Sequence, residues 1–135
     1  MVEKKYLSKI IAQDEAGLQM ISACASKAKV KVAEIKYLPE NKVFLLSLER
    51  FGKETGNEDL IIKSIIKFDF INFCRAKNIN PNDEDSVLKL LAINFFKNEG
   101  RFDIQLVFDN NKIIELKSEI IECTLEDQNK KNLND

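Results

Sequence analysis

Hydrophobic positions along this chain change period several times, and each change marks an element. Tyr6 to Ala12 reads as a first strand, rich in Ile, Leu and Tyr. Asp14 then stands as a helix N-cap, because its carboxylate can accept the open N–H groups of a first turn. Leu18, Ile21 and Ala25 recur at helical spacing, with Met20 and Cys24 alongside, and predict a helix from Glu15 to Lys27.

From Lys29 the period becomes two. Val30 and Val32 alternate with Lys29 and Lys31, and Ile35 and Tyr37 then take the opposite parity. Such a slip predicts a β-bulge or a strand that changes faces. Leu38 to Lys42 is turn-like around Pro39, and Val43 to Leu48 reads as a central strand, so the strands on either side should pair as a hairpin. Gly52 to Asp59 reads as a flexible loop. Ile62, Ser64, Ile66, Phe68, Phe70, Asn72 and Cys74 share one parity, which predicts a single strand over 62–74 with that face in the core.

Beyond the polar loop 78–85, residues 86–97 are rich in aromatic and aliphatic side chains and favour a strand, while Asp83-Glu84-Asp85-Ser86 would equally cap a helix there. Asn98-Glu99-Gly100 marks a turn, and Phe102, Ile104, Leu106 and Phe108 then alternate with polar residues. Asn110-Asn111 fits a two-residue hairpin loop because Asn tolerates positive φ, with Ile114 to Ile120 as the returning strand. Residues 120–127 are compatible with strand or helix. Gln128 to Asp135 is polar and reads as a disordered tail, which leaves 1–127 as a single globular domain.

The elements amount to an α+β, β-rich fold. About seven mainly antiparallel strands form a curled sheet or partly open barrel, with one helix after strand 1. A length of 135 residues suits that single domain and buries enough surface to fold without metals or disulfides.

Composition narrows the function classes. The formal net charge is −1, so no long-range field points to nucleic acid or to an anionic membrane, and nucleic acid is not an expected partner. Histidine is absent, which closes Ser-His and Cys-His nucleophilic mechanisms. Cys24, Cys74 and Cys123 lie about fifty residues apart with no CxxC, so neither a zinc site nor another cofactor is expected, and the usage fits a reducing cytoplasm. No apolar run has the length of a signal peptide or a membrane span. The four glycines form no phosphate-cradling loop.

Several polar residues invite a chemical reading. Asp83, Glu84 and Asp85 form an acidic cluster without EF-hand spacing, better read as a solvated loop. Glu119, Glu122, Glu126 and Asp127 lie near the polar end of the chain and read as a solvated face. Asn72, on the expected core face, would need hydrogen-bond partners and could orient a ligand or tie a neighbouring strand. Arg50 and Arg75 each end a strand near a loop, where they would grip a carboxylate or phosphate, or close a salt bridge. Phe68 and Phe70, flanked by Lys67 and Asp69, are read as core packing rather than as a base-stacking platform.

Val32-Ala33-Glu34-Ile35-Lys36-Tyr37-Leu38-Pro39, followed by Phe44-Leu45-Leu46-Ser47-Leu48-Glu49-Arg50-Phe51, resembles a motif of a small alphaproteobacterial family known as a domain of unknown function (number 2948). Phe68-Asp69, the run Leu88 to Phe96 and the ending Ile121-Glu122-Cys123-Thr124-Leu125-Glu126-Asp127 are also similar, so the resemblance covers Leu7 to Asp127. The chain departs from that pattern at Gly52-Lys53, where a tryptophan is expected, and at Asn110-Asn111, where glycines are usual. The resemblance implies a bacterial cytoplasmic protein of no established activity, and it carries over no catalytic residue. The expectation is a non-catalytic binding or interaction module, with self-association through edge strands as one route to a partner. A small enzyme built on carboxylates, Arg50 or Arg75, and a weak RNA binder, are the alternatives.

Overall fold

The structure, a computed structural model, describes residues 8–52 and 57–132. They form one antiparallel sheet of ten strands and one helix. In chain order these are β1 (Lys9–Ala12), α1 (Glu15–Ala25), β2 (Ala28–Lys31), a 3-10 turn (Val32–Glu34), β3 (Ile35–Leu38), β4 (Val43–Gly52) and β5 (Asn57–Phe68). Then follow β6 (Ile71–Lys77), β7 (Val87–Asn98), β8 (Arg101–Phe108), β9 (Ile113–Ser118) and β10 (Cys123–Asn132). The strands lie in the order β1-β10-β5-β4-β2-β7-β8-β9-β6, with β3 also on β4, and the sheet does not close into a barrel.

Local chemistry starts α1. Asp14 accepts the Gly17 N–H at 2.8 Å, and Leu18, Ile21 and Ala25 turn inward. Gly17 is required here, because a Cβ at that position would stand 2.9 Å from Ala12 Cα on β1. The inward face of the sheet supplies the rest of the core. Phe44, Leu46 and Leu48 of β4 face Phe68, Ile66 and Ser64 of β5, and Leu125 and Cys123 of β10 continue the rows. Leu88, Leu90, Ile104, Leu106, Phe108, Ile114 and Leu116 extend the same core across β7, β8 and β9. Ser22 on α1 accepts the Ile93 N–H at 2.9 Å, which pins the helix to β7.

Ten strands replace the expected seven for three reasons. The parity slip after Lys31 is the 3-10 turn Val32–Glu34, which divides β2 from β3. The expected strand over 62–74 is two strands, because Phe70 sits at φ +60° and bends the chain between Phe68 and Ile71. The third is β10, so the segment 120–127 is strand from Cys123 onward and contains no helix, and 86–97 is strand from Val87. β10 continues five residues past position 127, and Asn132 pairs with Leu60. The bend also corrects the expected core face: Ile71 is fully buried, whereas Phe70 and Asn72 are exposed.

The Asn110-Asn111 hairpin has the expected geometry, with φ of 59° and 60° and Phe108 N–H donating to Lys112 O at 2.8 Å. Tyr6 and Leu7 of the expected first strand, and residues 53–56 of the expected loop Gly52–Asp59, lie outside the described residues; the rest of that loop is strand, with Gly52 ending β4 and Asn57 to Asp59 opening β5. Among the described residues no helix is long and apolar enough to cross a membrane.

Candidate functional site

Arg50 is the sequence candidate with the most elaborate surroundings. Its strand parity continues that of Phe44, Leu46 and Leu48, so its side chain points into the core beside Ser64 of β5 and Asp127 of β10. Arg50 Nη2 donates to both Asp127 carboxylate oxygens at 3.0 Å, and Nε donates to Oδ1 at 3.3 Å and to Ser64 Oγ at 3.2 Å. Ser64 Oγ donates to Asp127 Oδ1 at 2.7 Å, and the Ser8 N–H donates to Oδ2 at 2.9 Å. Both charged side chains are 1% exposed.

A register shift between Asp127 and Asn129 places one extra residue in β10, a bulge that accompanies the inward turn of Asp127. The network joins β4, β5, β10 and the residue before β1. Sealed from solvent, the Ser64 hydroxyl can meet no substrate, so the arrangement locks strands together. The sequence reading put Asp127 on a solvated face. The missed signal is parity: Asp127 follows Cys123 and Leu125 at intervals of two, as Arg50 follows Leu46 and Leu48.

The other two candidates lie elsewhere. Asn72 is exposed on β6 and lines a shallow cavity of about 140 Å³ with Lys42, Phe70, Glu119 and Ile120. Arg75, half-exposed on the edge strand β6, donates from Nη2 to Glu115 Oε2 at 2.9 Å on the neighbouring β9. Lys77 Nζ approaches the other Glu115 oxygen at 3.1 Å. The Lys77 hydrogen bond, with Arg75 adding to it, holds the Glu115 carboxyl below its ordinary value. Arg50, Asn72 and Arg75 therefore do not converge on one pocket. The acidic loop 83–85 serves the backbone: Glu84 O accepts from Ala33 N–H and Asp83 O from Ser86 N–H, each at 3.1 Å.

A further concavity lies at the start of α1. It encloses about 400 Å³. Phe95 of β7, Phe102 of β8, Ile120 and Ile121 make its apolar wall. The two rings stand 5.9 Å apart, tilted by 42°. Gln13, Asp14 and Glu15 face that wall from the beginning of α1, and Lys97 completes the lining. Gln13 Nε2 donates to Glu122 Oε1 at 3.0 Å, which bridges the helix start to the residue before β10. Asp14 spends one oxygen on the Gly17 N–H and keeps lone pairs for another donor. No sequence motif announced this site, since its residues come from four separate segments.

Cys74 and Cys123 offer no reactive centre. Burial pushes the Cys74 thiol up to about 11. Burial also raises Cys123 far above the ordinary thiol range, with Asp69 and Glu122 adding to the effect. Among the described residues no three His, Cys, Asp or Glu side chains gather closely enough to hold a metal ion.

The family model described as "Protein of unknown function (DUF2948)" matches the chain over residues 8–134. Comparisons with curated proteins and with solved structures give no match.

Proposed function

The chain belongs to the DUF2948 family, and we propose that this member is a non-catalytic binding module whose ligand occupies the pocket at the start of α1. The observation that carries the reading is an aromatic and aliphatic wall opposed by two carboxylates. Asp14 and Glu15 contribute two negative charges and Lys97 one positive, so the lining sums to −1. Aromatic faces and carboxylates both attract cations. The ligand class is therefore a small organic cation with an apolar body, such as an arylalkylamine. A volume of about 400 Å³ lies within the usual range for small-molecule pockets. A bacterial cytoplasmic setting belongs to the same proposal, supported by the free thiols of the part-buried Cys74 and the buried Cys123.

Calorimetric titration with three probes of one shape tests it: 2-phenylethylamine, 2-phenylethanol and phenylacetate. The amine binds most tightly and the carboxylate least. Glu15→Gln weakens the amine and leaves the alcohol unchanged, and Phe102→Ala weakens both. Equal affinity for all three probes, or no binding by any, rejects the reading.

A further inference from the structure

A second concavity lies on the opposite, outward face of the sheet, where β2 and β4 separate. The two strands share the register pair Lys29↔Glu49, and β4 is next met by β3 at Ile35↔Leu46. Between these points the chain leaves β4 and bonds elsewhere: Val32 N–H donates to Ser86 O at 3.0 Å and Ala33 N–H to Glu84 O at 3.1 Å. The departure opens a notch of about 150 Å³. Leu48 lines it, and because its side chain points into the core it meets the notch through its main chain.

The charges around the notch are unbalanced. Lys29, Lys31 and Lys63 line it together with Glu34 and Glu49. Lys89 stands directly across from Lys29 in the β2–β7 ladder. Three ammonium groups against two carboxylates leave +1 in the lining, on a chain whose net charge is −1, and Glu49 stands across from both Lys29 and Lys63. The Lys63–Glu34 pair spans 3.9 Å with both side chains more than a third exposed, so it neutralises little. Like charges directly opposite each other across two strands are destabilising, and Lys29↔Lys89 is such a pair. An anion in the notch removes that repulsion.

We propose that the notch between β2 and β4 binds a phosphate-sized dianion, held by Lys29, Lys31 and Lys63 beside the main chain of Leu48. The small, walled volume fits the phosphate group of a small molecule, whereas a nucleic-acid strand requires an extended track.

The test is a backbone-amide NMR titration of the full chain with inorganic phosphate, at constant ionic strength balanced with chloride. Resonances of residues 29–34, 47–49 and 63 shift along one saturating curve. Lys31→Gln combined with Lys63→Gln weakens that curve about tenfold, and Glu49→Gln tightens it, as removal of a charge of either sign requires. Lys117→Gln, on β9 and remote from the notch, leaves it unchanged. Three outcomes overturn the proposal: shifts that chloride reproduces, shifts that Lys117→Gln alters as much as the double variant does, or an oligonucleotide that binds the notch while phosphate does not. The arylalkylamine titration reads a different site, so either result stands without the other.

Discussion

Removing the Asp127 carboxylate is the most informative single perturbation of the fold. In Asp127→Ala, Arg50 loses a partner it contacts at 3.0 Å through both oxygens, Ser64 loses its 2.7 Å acceptor, and the Ser8 N–H loses its own. Solvent cannot replace them, because the Arg50 and Asp127 side chains are each 1% exposed. Breaking a buried pair from one side costs about 3–5 kcal/mol. For a domain of this size the loss lowers Tm by roughly 10–20 °C. Urea denaturation followed by circular dichroism measures it, with the m-value unchanged. The double variant Arg50→Met with Asp127→Leu removes both charges, and recovers about 2 kcal/mol relative to the worse single variant. If Asp127→Ala costs less than about 1 kcal/mol, the value of an exposed pair, the lock does not exist as described.

Three further outcomes follow from the geometry. Gly17→Ala gains up to about 1 kcal/mol of helix propensity, but its Cβ meets Ala12 backbone at 2.9 Å; overpacking costs about 1–3 kcal/mol, so denaturation shows a net loss. At pH 8 the Cys74 thiol, raised from 9.0 to about 11, holds roughly a hundredfold less thiolate than an unshifted thiol, so mass spectrometry shows correspondingly slow alkylation until the protein is unfolded. Carboxyl-carbon NMR places the Glu115 midpoint below the ordinary value of about 4.3, and Lys77→Ala raises it more than Arg75→Ala does. Because the folded value is the lower one, the stability Glu115 contributes is present above the ordinary carboxyl value and fades as pH falls through the depressed midpoint.

Features governed by neighbours in sequence were legible from the residues. Asp14 caps α1 because its acceptor lies three residues from the Gly17 N–H, and Asn110-Asn111 turns the chain because Asn accepts positive φ. The antiparallel, β-rich class followed from alternation. Features governed by distant neighbours were not legible. Phe70 adopts φ +60°, a conformation costly for a bulky side chain, because Asp69 N–H is drawn to Glu122 O and Ile71 N–H to Lys42 O on separate segments. That bend, together with the register shift between Ile71 and Phe73, puts Asn72 on the surface and not in the expected core. Asp127 lies 77 residues from Arg50, and its parity with Cys123 and Leu125 marks it as inward-facing without showing which residue it meets. The pocket at α1 was hidden for the same reason, since Glu15, Phe95, Phe102 and Ile121 meet only in the folded chain.

Methyl NMR of isoleucine-labelled protein during a 2-phenylethylamine titration examines the proposed binding role at its own location. The methyl signals of Ile120 and Ile121 shift together and saturate, while those of Ile66 and Ile114 in the core hold their positions. An unmoved Ile121, or shifts that grow linearly without saturation, contradicts a ligand pocket at the start of α1.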